Sequence, residues 1–233
     1  MIDHLPLPSL GRVLFALLLG CLAPAARAEI VLSQVIVDMK PGSSEFQDIE
    51  VYNDGDERLF VAAEPARILN PGQVDETRVS EPDPSALGLL VSPQRLVLEP
   101  GQRRVVRVAA LGGRAATDKV YRVAIKPVAG ELSAAATALK VLVGYDVLVL
   151  LRPAAVAGEV TAVRQGRKIT FHNGSNTAQE IYNGRQCVAG QPCGALPAKR
   201  VYAGADWCLA LPDDAPAEFT VSDGTRSRRA AFP

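Results

Sequence analysis

The side chains able to do covalent or metal chemistry are few in this chain, which has four cysteines and two histidines in 233 residues. Cys21 lies in an N-terminal leader, so Cys187, Cys193 and Cys208 remain. Cys187 and Cys193 flank a Gly190-Gln191-Pro192 turn that can bring them together as a short loop, and in an oxidising compartment a pair is expected to bridge. Cys208 is then free and expected to be buried beside Trp207. A zinc site is the rival use of three cysteines, but C-x-x-C spacing is absent and no histidine is close in sequence. His4 is lost with the leader, and His172, before the turn Asn173-Gly174, reads as a strand-end surface residue rather than a base. No G-x-S-x-G, H-E-x-x-H or P-loop pattern occurs. Asp213-Asp214 sits in a Pro-bounded loop and reads as solvated. The expectation is a protein that is not an enzyme and holds no metal and no cofactor.

Binding chemistry is a different matter. From Leu139 to Leu151 every odd position is apolar: Leu139, Val141, Val143, Tyr145, Val147, Val149 and Leu151. The even positions are mixed. This predicts a strand of about 13 residues, twice the usual length. At ~3.3 Å per residue it extends about 40 Å, more than one sandwich needs. Alternation alone fits a strand whose odd face is the domain's own core equally well.

The elements around that segment are strands. Period-2 apolar runs are expected at Ile30–Met39, Phe46–Tyr52, Leu59–Ile68, Leu89–Leu98, Arg103–Ala109 and Lys119–Lys126. Turn signals such as Asn53-Asp54-Gly55-Asp56 and Glu99-Pro100-Gly101-Gln102 separate them. Pro93 interrupts its run, which implies an edge or a strand switch. Beyond Leu151, short strands are expected near Glu159–Arg164, Lys168–His172, Gln179–Tyr182, Arg200–Ala203, Trp207–Leu211, Phe219–Val221 and Arg228–Phe232. Nothing helical of any length is expected. Turns every eight to twelve residues around short strands imply an immunoglobulin-like sandwich, once before and once after the boundary Arg152-Pro153-Ala154-Ala155.

The chain is therefore expected to be all-β, with two immunoglobulin-like domains at 29–153 and 154–233 behind a signal peptide at 1–28. Arg12, the apolar run Val13 to Leu22 and the small-x-small site Ala26-Arg27-Ala28 make that signal. Leu18-Leu19-Gly20-Cys21 is the rival, a lipoprotein-type site. The apolar run is too short to span a bilayer stably, and no later stretch reaches the ~18 apolar residues a spanning helix needs. Removing the leader leaves roughly 205 residues, which suits two domains of ~100 each. Lys+Arg and Asp+Glu are 25 each, for a net charge of zero. That argues against a nucleic-acid partner, which selects for excess basic charge.

Several segments then resemble one family. Leu90-Val91-Ser92-Pro93-Gln94-Arg95-Leu96-Val97-Leu98-Glu99-Pro100-Gly101-Gln102 is similar to the V-x-P…L-x-P-G stretch of periplasmic pilus-assembly chaperones of the chaperone–usher pathway. Val105-Val106-Arg107-Val108, Val120-Tyr121-Arg122-Val123 and the hinge Arg152-Pro153 fit the same pattern in order and spacing. Ile68-Leu69-Asn70-Pro71-Gly72 and the paired cysteines resemble the alternate class that assembles colonisation-factor-type fimbriae.

The resemblance implies two sandwiches in an L or boomerang, a periplasmic location in a Gram-negative cell, and no use of ATP. It implies pilin or fimbrial subunits as clients, held by donor-strand complementation and passed to an outer-membrane usher. An incomplete pilin exposes an apolar groove and unpaired edges, which template aggregation. A lent strand satisfies the edges while alternate side chains fill the groove. The donor set is expected at Leu139, Val141 and Val143, with Tyr145 and Val147 extending it. A self-capping oligomer is a further expectation, since exposed apolar strands seek cover.

The client's C-terminal carboxylate needs an anchor to fix the register. The family's basic pair falls here on Leu148 and on Gln34 or Ile36, so this chain departs from the pattern. Arg122 is the substitute candidate, with Lys126 on the same face and Arg152 at the hinge as others, because a guanidinium binds a carboxylate bidentately. The competing readings are a pilus component, structural or adhesive, and a periplasmic hydrolase on a sandwich.

Overall fold

The computed structural model describes residues 30–128 and 142–233. Up to Leu151 the chain forms β1 (Ile30–Leu32), β2 (Ile36–Met39), β3 (Phe46–Asn53), β4 (Leu59–Leu69), β5 (Thr77–Val79), β6 (Leu89–Ser92), β7 (Arg95–Leu98), β8 (Arg103–Ala110), β9 (Lys119–Pro127) and β10 (Tyr145–Leu151). One short helix, α1 (Pro84–Leu87), precedes β6 and is capped by the Asp83 carboxylate, which accepts from Ser85 N–H. One sheet runs β1-β3-β8-β6 and the other β2-β10-β9-β4-β5, with β7 also on β4. Alternate residues meet between the sheets: Ile49 and Val51 of β3, Val106 and Val108 of β8, Tyr121, Val123 and Ile125 of β9, and Val147, Val149 and Leu151 of β10.

The second group of strands is β11 (Val160–Gln165), β12 (Lys168–Asn173), β13 (Gln179–Gln186), β14 (Gly194–Leu196), β15 (Lys199–Val201), β16 (Asp206–Ala210), β17 (Ala217–Ser222) and β18 (Ser227–Phe232). Their sheets run β11-β12-β16 and β14-β13-β17-β18, with β15 also on β13. Between them Phe171 stacks on Trp207 at 5.1 Å and meets Phe219 and Phe232 edge-on at 5.2 and 5.1 Å. Such pairs add to what their burial already contributes. The architecture is all-β in two sandwiches, as expected. No helix among the described residues is long and apolar enough to cross a membrane.

Two long strand expectations divide because the chain changes sheets. Ser33 makes the last rung on β3, donating its N–H to Glu50 O and accepting the Glu50 N–H on its hydroxyl. Two residues on, Val35 O accepts from Leu148 N–H, so the chain has crossed to the other sheet before β2 begins. At Ser92-Pro93 the same happens: β6 pairs with β8 and β7 with β4, which is the switch that Pro93 implied. The turn signals also repay their reading. Asn53 and Asn173 are both buried, accept from the N–H two residues on, and donate to carbonyls of Leu98 and Val201.

Cys208 corrects the sequence reading. It is exposed, because period 2 turns Trp207 into the core and Cys208 to the opposite face. The bridge Cys187–Cys193 is formed across the loop that follows β13.

Candidate functional site: the open end of β10 and the face beside it

β10 has β9 along its whole length, from Tyr145 opposite Ile125 to Leu151 opposite Lys119. On its other side the parallel partner β2 begins only at Ile36, opposite Leu148. Among the described residues no strand pairs with Tyr145, Asp146 and Val147 on that side. Among the described residues the edge of the sheet is therefore open where the chain enters β10. Unpaired backbone groups of this kind are a template for another chain.

The residues leading into that edge are apolar and exposed: Leu142, and Val143 at 52% of its free surface. Gly144 lets the chain pass close to β9, since a Cβ there would fall 2.8 Å from Lys126 Cβ and 3.2 Å from Ile125 O. Residues 142–144 are not in a strand, so the strand of about 13 residues expected from alternation is, in its described part, the seven of β10. Leu139 and Val141 of the expected donor set lie outside the described residues. Two other members need correction. Val147 is fully buried in the sandwich's own core. Tyr145 is half-buried against that core, and its hydroxyl donates to Ile30 O at 3.0 Å. The odd face of the segment points into the domain from Tyr145 onward and is open at Val143, where the sandwich ends.

The even face of β10 belongs to the outside of its sheet. Leu148 stands between Ile36 and Arg122, each directly opposite it. Leu148 and Leu150 pack with Ile68, Val120, Ala178 and Tyr202, an apolar patch shared with the second sandwich. Arg122, with about a third of its side chain exposed, donates to Asp146 O at 3.2 Å, and its Nε lies 3.9 Å from Asp146 Oδ2. Arg78 grips the same carboxylate with both arms of its fork, at 2.9 and 3.2 Å. Lys126 is held 2.8 Å from Glu64, with Arg95 at 3.5 Å. The hydrogen bond from Lys126 holds the Glu64 carboxyl below its ordinary range.

Arg152 is not an open cation. Only 2% of its side chain is exposed. Its Nε and Nη2 lie 2.6 and 3.1 Å from the Asp38 carboxylate, and Nη1 donates to Thr177 Oγ1 and Ala178 O, both at 2.9 Å. It ties the two sandwiches together and has no fork left for a client, which corrects its candidacy as an anchor. Asp118 adjoins it and accepts from Ala178 N–H at 2.5 Å on Oδ2. Its Oδ1 is buried with no partner. Burial pushes this carboxyl up, against the opposing pull of the Ala178 N–H, the Thr177 hydroxyl and the Arg152 charge.

His172 lies on the surface 2.7 Å from Asp206. Among the described residues no group of three His, Cys, Asp or Glu side chains is placed to hold a metal ion. Nothing in the local sequence marks Arg78, Asp146, Asp38 or Asp118. Only the order of strands across the sheet brings them to this site.

No family model matches the chain. The CFA/I fimbrial protein of Escherichia coli named as its A subunit is 28% identical over 180 residues, covering 72% of this chain and 74% of that protein. Among solved structures, the class 5 fimbriae chaperone CfaA aligns with a TM-score of 0.64 at 19% identity, over 88% of this chain and 99% of that one. A chain of the Salmonella enterica SafA pilin–SafB chaperone complex aligns at 0.60 and 21% identity, over 89% and 97%. The E. coli chaperone DraB aligns at 0.58 and 16%, over 88% and 97%. These likenesses run across both sandwiches, and they give this protein the two-sandwich fold of the chaperone–usher fimbrial chaperones.

Proposed function

We propose that this protein is a periplasmic chaperone that binds fimbrial subunits by lending them the segment leading into β10, and then releases them to an outer-membrane usher. The observation that carries this is the open edge at Tyr145–Val147, continuous with exposed Leu142 and Val143. A client strand laid there extends the sheet by backbone hydrogen bonding, and alternate apolar side chains enter the client's groove. Leu139, Val141 and Val143 are the donor residues. Tyr145 and Val147 support the strand from within its own domain. Complexes of such chaperones with a pilin or a tip adhesin exist among the solved structures of this fold. The action needs no bond to be made or broken.

Arg122 is the anchor for the client's C-terminal carboxylate. It sits opposite Leu148, where the family's basic residue falls by resemblance, and its guanidinium is the least committed of the candidates. Lys126 is paired with Glu64 and Arg152 is enclosed.

The test is co-expression in a periplasm with the secreted immunoglobulin-like subunits of the same organism, followed by native mass. A one-to-one complex is expected for the wild type and none for Val141→Glu/Val143→Glu, with that variant still folded. A complex untouched by the double substitution moves the donor site elsewhere. A self-assembled polymer of the protein alone favours a structural pilus component.

A further inference from the structure

We propose that Asp146 is a built-in stand-in for the client's carboxylate: in the free protein it occupies a two-guanidinium site made by Arg78 and Arg122, and the client's C-terminal carboxylate displaces it. This rests on the reading of Arg122 as the anchor.

Arg78 comes from β5, at the far edge of the sheet, where it stands opposite Ile68 of β4. Its side chain spans β4 and β9 to reach Asp146 on β10. It closes on both carboxylate oxygens, the fork geometry that guanidinium–carboxylate recognition uses. Arg122, one rung along, reaches Asp146 through its backbone carbonyl and a 3.9 Å contact to Oδ2. Two guanidinium groups thus converge on one carboxylate, and the trio keeps a net positive charge. The nearest other acid on this face, Glu64, is already held by Lys126 and Arg95. A second carboxylate is therefore attracted to the trio.

Asp146 is also the right residue to be displaced. It lies on β10 itself, two positions before Leu148, so a client strand seated along this edge brings its terminus to this face. Nearly half of the side-chain surface of both Arg78 and Asp146 is exposed. An ion pair this wet is weakly held and yields to a competitor. The stand-in shields the guanidinium pair from stray carboxylates, and a client wins because its strand adds backbone pairing that a free anion lacks.

The experiment uses a peptide copying the C-terminal strand of the co-purified client, made once as the free acid and once as the carboxamide. Affinity is read by fluorescence anisotropy on the full protein. Wild type is expected to prefer the acid, and Arg122→Gln to lose that preference. Asp146→Asn is expected to bind the acid about 2- to 5-fold more tightly and the amide unchanged. Arg78→Gln is expected to weaken the acid alone. Should Asp146→Asn not fold, Arg78→Gln carries the test by itself. If wild type prefers the acid and Arg122→Gln loses it, but Asp146→Asn and Arg78→Gln behave as wild type, the stand-in is wrong and the anchor stands. If wild type binds acid and amide alike, both fall.

Discussion

Arg152 and Asp38 are 114 positions apart in sequence, and they meet at 2.6 Å in the junction between the sandwiches. The same guanidinium donates to Thr177 and Ala178, so one side chain fastens β2 to the start of β13. Arg152→Ala leaves the Asp38 carboxylate without its guanidinium and close to Asp118, whose Oδ1 already lacks a partner. Removing one partner of an enclosed pair costs more than the pair contributes. The expected loss is about 3 kcal/mol, read by urea unfolding. Arg152→Lys recovers little of it, since an ammonium cannot bridge the carboxylate and the two oxygens of the second sandwich at once.

Asp118 gives the junction a pH dependence with a definite sign. Its ordinary value is 3.8, and burial raises it in the folded protein. The folded state then holds the proton more tightly than the unfolded chain. Relative to Asp118→Asn, the wild type is most stable below 3.8, loses ground as pH rises through the raised value, and levels off above it. Arg152 and Asp38, the charges that face it, are present in both proteins, so the difference between the two stability curves isolates Asp118. A flat difference from pH 3 to 7 contradicts the assignment.

The bridge Cys187–Cys193 closes a loop with a sequence separation of 6. Closing so short a loop stabilises by about 2 kcal/mol on the chain-entropy account. Cys187→Ser/Cys193→Ser is expected to lose that much in chemical unfolding, and to leave client binding at the first sandwich unchanged. A loss of binding ties the loop to the site.

The two ends of the donor segment respond in opposite ways to one substitution. Val147→Glu buries a charge in the first core and prevents stable folding. Val143→Glu stays in water and leaves the stability within about 0.5 kcal/mol of wild type. Only the second variant can show lost binding in a folded protein, so circular dichroism melting accompanies every binding measurement.

Alternation made most of the fold legible. Strands such as Phe46–Asn53 and Lys119–Pro127 bury every second side chain over much of their length, and turn residues mark their ends. Thr77–Val79 carries no such signal, because all three of its residues are exposed and show no period. Gly194–Leu196 is short and pairs only beside the Cys187–Cys193 loop, so it has no local signal either. Arg122 was readable as an outward cation from the burial parity of its own strand. Its neighbour Arg78 was not, since Arg78 and Asp146 are 68 positions apart and meet only through the order β10-β9-β4-β5. The misplacement of Val147 has the same root. One alternating run serves a core for part of its length and open solvent for the rest, and the dividing point at Tyr145 is set by where the other sheet ends.

The central claim is that a client pairs with the free edge of β10. Amide hydrogen exchange across residues 139–151, in the protein alone and in its purified one-to-one complex, tests it most directly. The account predicts fast exchange at Leu142, Val143, Gly144 and Asp146 in the free protein, slowed by at least about tenfold in the complex, with Tyr145, Val147 and Val149–Leu151 protected in both, since the N–H of Leu148 faces β2 and strand alternation turns those of Tyr145 and Val147 to β9. Unchanged exchange at those four residues, with new protection on another strand, contradicts it.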